Sequence, residues 1–223
     1  MGNDMKTGNR AKARSQLTNA EYHLTADQMN RVISAATSPR DTLMLKMLAE
    51  TGLRRCEITS VRIEDFRLKE RLLLVRRGKG NKSRLVPLTP SLLHYLKSCI
   101  AGRTDGPLFT SARNKPLSSR QINRIVAHAG TRAGIANPNP KYNRITPHLF
   151  RHSFARLWKD RGGSIEALSK IMGHQSTKTT WDLYGTMSFQ DVQRGYDRIM
   201  GLSKILTAKR HGDFSKTKEV PGF

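Results

Sequence analysis

Helix-start signals recur along this 223-residue chain, and one short stretch of a different period interrupts them. Thr25-Ala-Asp-Gln28 has the spacing of a capping box, in which a hydroxyl and an amide side chain each satisfy a backbone group of the first turn. Ser118-Ser-Arg-Gln121 repeats that spacing. Ser38-Pro39, Thr89-Pro90 and Thr146-Pro147 put proline at the first helical position, where its fixed φ and missing N–H do no harm. The helices expected from these starts run from Thr25, from Ser38-Pro39 to Thr51-Gly52, from about Arg54 to Val61, and onward from Thr89, Ser118 and Thr146. Shorter ones follow near Ser164–Met172, Thr177–Tyr184 and Phe189–Met200.

The interruption lies at Arg71-Leu-Leu-Leu-Val75 and Lys82-Ser-Arg-Leu-Val86, two β-prone runs flanking Gly78-Lys-Gly-Asn81. Glycine and asparagine between two such runs are hairpin chemistry. A β-hairpin is expected here, with Asp65–Leu68 as an edge strand. The Pro/Asn-rich stretch Asn137-Pro-Asn-Pro-Lys141 reads as a loop. No internal repeat is present. The expected fold class is therefore α+β, predominantly helical, a single domain with a small antiparallel sheet. It should occupy residues 21–203, between basic segments at 1–20 and 204–223 that have little to bury.

Lysine and arginine total 40 against 17 acidic residues, a formal net charge of +23. So large a surplus cannot be neutralised internally, so the surface carries a positive field, and nucleic acid is the commonest polyanion to answer it. Cys56 and Cys99 have no paired spacing, which argues against a disulfide framework or a zinc ribbon. No apolar run approaches the roughly 20 residues that span a bilayer, and the N-terminal stretch lacks the apolar core of a secretory signal. A cytoplasmic, intracellular setting without a membrane partner is the expectation.

Four segments can carry chemistry, and each has an ordinary structural reading beside the functional one. Arg54 and Glu57 in Thr51-Gly-Leu-Arg-Arg-Cys-Glu57 lie three apart on one helix face, which by itself suits a surface ion pair. Gly78-Lys-Gly-Asn-Lys82 lacks the GxxxxGK[ST] spacing of a phosphate loop and joins two strands. It is a basic hairpin tip, fit for a DNA groove or simply for solvent. Pro147-His-Leu-Phe-Arg-His152 opens a helix, where unpaired N–H groups and the dipole favour an anion. His148 and His152, four apart, also allow a metal pair, but the glutamate of HExxH is missing. Gly173-His174 is followed, ten residues on, by Tyr184, and a tyrosine on a short helix is more often packing than chemistry.

Taken in order, these segments resemble the signature of the tyrosine recombinases: TGLRxxE, a GKGNK hairpin, HxxRH, and GHxS…Y. Arg84-Leu-Val-Pro87 and Ile145-Thr-Pro-His148 match the surroundings, and the resemblance covers roughly residues 24–200. It implies a catalytic domain that cuts and rejoins DNA through a transient 3′-phosphotyrosyl bond, with no metal and no other cofactor. By the same resemblance the clamp arginines fall on Arg54 and Arg151, the hairpin lysine on Lys79, the histidines on His148 and His174, and the nucleophile on Tyr184. Glu57 matches the acidic residue that supports the site, and Lys79, Lys82 and Arg84 are the expected DNA contacts.

The implied partners are double-stranded DNA and further copies of the chain. The protein is expected to be a monomer when free and a tetramer on paired DNA sites in the nucleoid, with accessory DNA-bending proteins. Phe189, Val192, Tyr196 and Ile199 make one apolar helical face, to be buried either on the chain's own domain or, on DNA, against the next protomer. Two departures from the resembled pattern stand out. The His174-to-Tyr184 interval is one residue longer than the commonest spacing. The usual N-terminal core-binding domain is not expected in these residues, which are either a fragment or a short member of the family. A non-catalytic DNA-binding protein on the same fold would share the charge but would be expected to have lost one of the six candidate groups. A nicking-closing activity of the type IB topoisomerase kind would share the site as well.

Overall fold

The computed structural model describes residues 22–76 and 83–173. Within them the helices are α1 (Ala26–Ser34), α2 (Pro39–Thr51), α3 (Arg55–Ser60), α4 (Pro90–Ile100), α5 (Ser119–Arg132), α6 (Pro147–Asp160) and α7 (Ile165–Met172). The strands are β1 (Phe66–Arg67), β2 (Leu72–Val75) and β3 (Arg84–Pro87). The predominantly helical α+β architecture with a small antiparallel sheet is thus the one the sequence pattern implies. The expected helices at Thr177–Tyr184 and Phe189–Met200, and the turn Gly78–Asn81, lie outside the described residues.

The start signals act as the sequence indicates. Thr25 accepts the N–H of Gln28 while the Gln28 side chain accepts that of Thr25, and Ser118 and Gln121 do the same for α5. The hydroxyls of Ser38, Thr89 and Thr146 cap α2, α4 and α6, each with proline directly after the cap. Each such bond satisfies a donor that the helix cannot satisfy itself, typically contributing about 1 kcal/mol.

Helix α2 is the axis of the core. Leu43, Met44, Leu45, Met47 and Leu48 are all essentially inaccessible to solvent. Burial on so many sides leaves only a narrow, partly exposed polar strip, where Lys46 pairs with Glu50 at 3.0 Å, as expected of a helix largely surrounded by others. Helices α1, α4 and α6 pack around it, and α6 in turn meets α5 and α7. In the sheet, Leu73 and Val75 of β2 and Val86 of β3 point into the core, and Leu85 points out.

The strands lie in the order β1-β2-β3, all antiparallel, with Leu73 opposite both Phe66 and Val86, and Val75 opposite Arg84. Strand β1 is shorter than the Asp65–Leu68 edge strand expected. Asp65 closes a 3-10 turn over Ile63–Asp65, where its carboxylate accepts the Arg62 N–H and pairs with Arg76. Strand β2 starts at Leu72 because Arg71 sits at φ 56°, a turn conformation. Among the described residues, no helix is long and apolar enough to cross a membrane.

Candidate active site

The turn between α2 and α3 shows why Thr51-Gly-Leu-Arg has the residues it has. Gly52 ends α2 in the left-handed region at φ 61°, and a Cβ there would meet the Phe154 ring at 2.5 Å. Only glycine fits both constraints without strain. Leu53 is fully buried, so the next residue turns toward the surface, and Arg54 becomes the N-cap position of α3. The carboxylate of Glu57 accepts the Arg54 backbone N–H at 2.7 Å and its guanidinium Nη1 at 3.1 Å. The spacing that suited a surface ion pair therefore holds a buried acid against a partly exposed base.

Glu57 has a second and better partner. Arg84 of β3 meets it end-on, with Nη1 and Nη2 each 2.8 Å from a different carboxylate oxygen. Burial alone pushes the Glu57 carboxyl upward. The Arg84 hydrogen bonds, the Arg54 backbone N–H and the charges of both arginines outweigh burial and hold it below the ordinary carboxylate value. The remaining Nε of Arg84 donates to the Ile171 carbonyl at 2.6 Å. This geometry corrects the expectation that Arg84 contacts DNA: its side chain is nine-tenths buried and all three nitrogens are engaged inside the protein.

Helix α6 supplies the other half of the site from its first turns. Arg151 is buried and donates to the carbonyls of Gly52 and, at 2.8 Å, Met172. It thereby joins the end of α2 to the end of α7. His148 and His152, one turn apart, bring their Nε2 atoms to 2.7 Å, a hydrogen bond in which one ring donates and the other accepts. His148 opens onto the cleft, yet partial desolvation by its walls and the nearby charges of Arg151 and Arg54 lower its pKa, favouring the neutral ring.

Arg54, His148, Arg151 and His152 line one cleft of about 650 Å³. Its rim includes Tyr22, Asn123, Asn137, Asn139 and Tyr142. The stretch expected as a plain loop is thus a wall of the site, and its asparagines explain how it holds its shape. Asn137 accepts the N–H of Asn139 and donates to the Arg144 carbonyl, and Asn139 accepts the N–H of Lys141. These are the side-chain turns that asparagine forms with backbone two residues on, which is the signal that marks this loop as built. Lys79, Lys82, His174 and Tyr184 lie outside the described residues, although Gly173, the residue before His174, accepts a bond from Arg54 at 3.3 Å.

Two arginines and two histidines converging on an open cleft of a strongly basic chain can hold and polarise a phosphate. Known proteins agree with the class this defines: residues 22–191 match the phage integrase family, and the chain belongs to that family. It is 32% identical over 190 residues to the tyrosine recombinase XerA of Pyrococcus furiosus, a match covering 82% of this chain and 63% of that protein. It is also 32% identical over 187 residues to the tyrosine recombinase XerC of Pelobacter propionicus, covering 79% and 59%. The fold superposes on the crystal structure of XerA recombinase with a TM-score of 0.66 at 30% identity, over 79% of this chain and 64% of that one. The chain thus spans about three-fifths of the length of the curated relatives it matches.

Proposed function

We propose that this chain is the catalytic part of a site-specific DNA recombinase that cleaves and rejoins strands through a covalent 3′-phosphotyrosyl intermediate. The observation that carries the reading is the meeting of Arg54 and Arg151 in one cleft beside His148, each bonded to a carbonyl at the end of α7 directly before His174. In this reading the Tyr184 oxygen attacks the scissile phosphorus, the bond to the 5′-oxygen breaks, and Lys79 gives that oxygen a proton as general acid. Attack by the 5′-hydroxyl of another strand reverses the step and frees the tyrosine.

Arg54 and Arg151 face the non-bridging oxygens, where planar forks match the phosphate and preorganised charge is worth about 3–4 kcal/mol per well-placed donor. His148 and His174 bond the phosphate or take the proton of Tyr184, a role that suits a ring kept neutral. Glu57 fixes Arg54. Written this way the reaction uses no cofactor: the arginines supply positive charge, and the phosphotyrosyl ester conserves the bond for rejoining.

Double-stranded DNA is the partner, reached by Lys79, Lys82 and the excess positive charge of residues 21–203 and the basic segments beside them. The chain works as a monomer when free and as a tetramer on paired sites in the nucleoid, with accessory proteins that bend the DNA. The relative XerH has been seen with its difH substrate in a pre-cleavage complex, and its fold is shared here with a TM-score of 0.65 at 23% identity. The test uses a library of nicked duplexes with randomised sequence, incubated with the full chain and resolved under denaturing conditions. A covalent protein–DNA adduct through a 3′-phosphate is expected. Retention of DNA with no adduct from any duplex would instead make the protein a DNA-binding module.

A further inference from the structure

The last two carbonyls of α7 and that of its C-cap residue Gly173 are each met by a different arginine. Arg84 Nε donates to Ile171 at 2.6 Å, Arg151 Nη2 to Met172 at 2.8 Å, and Arg54 Nη2 to Gly173 at 3.3 Å. Cations belong at a helix C-terminus, where carbonyls lack helical partners and the dipole is negative. Two of these arginines line the cleft. The third, Arg84, stands behind them and grips Glu57 with both terminal nitrogens.

We propose that Arg84 is a positioning residue for strand cleavage, setting Arg54 through Glu57 and at the same time fixing the end of α7 from which His174 follows. The inference rests on the functional reading above. One planar guanidinium joins β3 to α3 and to α7, which a lysine cannot do, because its single nitrogen has no fork to match a carboxylate. Space has been left for it: Gly173 sits at φ 65°, and a Cβ there would lie 2.9 Å from Arg84 Cδ and Nη1. Arg84 is also the residue opposite Val75 at the base of the hairpin that carries Lys79. The same clasp therefore anchors the strand from which the proposed general acid departs.

The charged groups facing Glu57 are Arg84 from β3 and Arg54 from its own turn. Losing Arg84 leaves a buried carboxylate with one cation, so Glu57 should take up a proton more readily. Arg54 would then lose the ionised acceptor that orients it. This gives a readout that general loosening of the fold would not produce.

The experiment is single-turnover cleavage at saturating full-length protein between pH 5 and 8, on a duplex recovered by the randomised selection, with DNA affinity measured beside it. R84K should cleave at least about tenfold more slowly while binding DNA within about threefold of wild type, because charge is kept and the fork is lost. R84Q should also lose rate on the acid side, where wild type keeps it, and E57Q should lack that extra acid limb. The double variant R84K/E57Q should be slower than E57Q by a smaller factor than R84K is slower than wild type, since the route through Glu57 is already broken and only the bond to Ile171 remains to be lost.

R84K cleaving within about threefold of wild type at every pH, or losses that multiply in the double variant, would overturn the role of Arg84. Should R84Q fail to fold, R84K and its double with E57Q still decide. A wild-type chain that forms no adduct overturns the functional reading instead, so the two failures are distinguishable.

Discussion

His148 and His152 share a hydrogen bond between like atoms: Nε2 faces Nε2 at 2.7 Å, with the rings nearly perpendicular at 87°. One nitrogen must carry the proton and the other must lack it, so the pair cannot be doubly protonated without putting two N–H groups face to face. Desolvation and the charges of Arg151 and Arg54 disfavour the His148 cation.

The first prediction is that His148 titrates below a histidine of the unfolded chain, whose reference value is about 6.5. The folded state then binds fewer protons than the unfolded state. Stability is fully kept above about pH 6.5 and declines as pH falls through that value toward the folded pKa. H148Q should lack this part of the decline. NMR titration of the ring checks the pKa, and urea unfolding at pH 7.5 and 5.5 checks the linkage. A His148 midpoint above that of the unfolded chain would contradict it. Glu57 contributes in the same direction but at lower pH, since its depressed carboxyl keeps its charge until well into the acid range.

Gly52 gives a second, purely structural prediction. G52A must place a Cβ 2.5 Å from Phe154 Cδ1 at a φ of 61°, so strain and overpacking act together. A loss of about 2–4 kcal/mol in unfolding free energy is expected from these two effects. The Gly52 carbonyl also anchors Arg151, so the protein that remains folded should cleave more slowly as well. An alanine variant as stable and active as wild type would mean that the turn rearranges freely.

Most of the fold was legible because its information is local. Capping boxes at Thr25 and Ser118, and proline after Ser38, Thr89 and Thr146, mark helix starts within a few residues of one another in sequence. Arg54, His148 and Arg151 were legible as a set through their order along the chain, and they do share one cleft. What could not be read is anything decided across the fold. Arg84 looks like one more basic residue on a DNA-facing hairpin until Glu57, 27 positions away, and Ile171, 87 positions away, close on it. Asn137 and Asn139 look like loop composition until the loop is seen to wall the site. The edge strand shrank because Asp65 found Arg62 and Arg76, partners that strand propensity does not count.

A third prediction concerns how binding and chemistry separate. Y184F should abolish adduct formation yet leave DNA affinity nearly unchanged, since one hydroxyl is a small part of an interface built on a net charge of +23. Affinity itself should fall steeply with salt, with a log–log slope steeper than about −4, as several phosphate contacts would give. Filter binding across 50–250 mM salt measures the slope, and denaturing gels measure the adduct. Full adduct formation by Y184F would assign the nucleophile elsewhere, and a flat salt response would remove phosphate contacts as the basis of binding.

The last prediction tests the clamp itself, and the geometry of Arg151 makes it sharp. Its guanidinium reaches two carbonyls in different directions, Gly52 on Nη1 and Met172 on Nη2, and so ties the end of α2 to the end of α7 across the cleft floor. R151K keeps the positive charge, so the electrostatic attraction of DNA to the cleft should change little. A single ammonium, however, cannot bridge both carbonyls and also present a planar fork to a phosphate. The loss should appear in the transition state more than in the ground state, lowering the single-turnover cleavage rate by about a hundredfold, or ~3 kcal/mol. Binding should weaken by less than about threefold over the same comparison. A cleavage rate within about threefold of wild type, only ~0.7 kcal/mol, would remove Arg151 from the reacting phosphate and leave it as a tie between two helices.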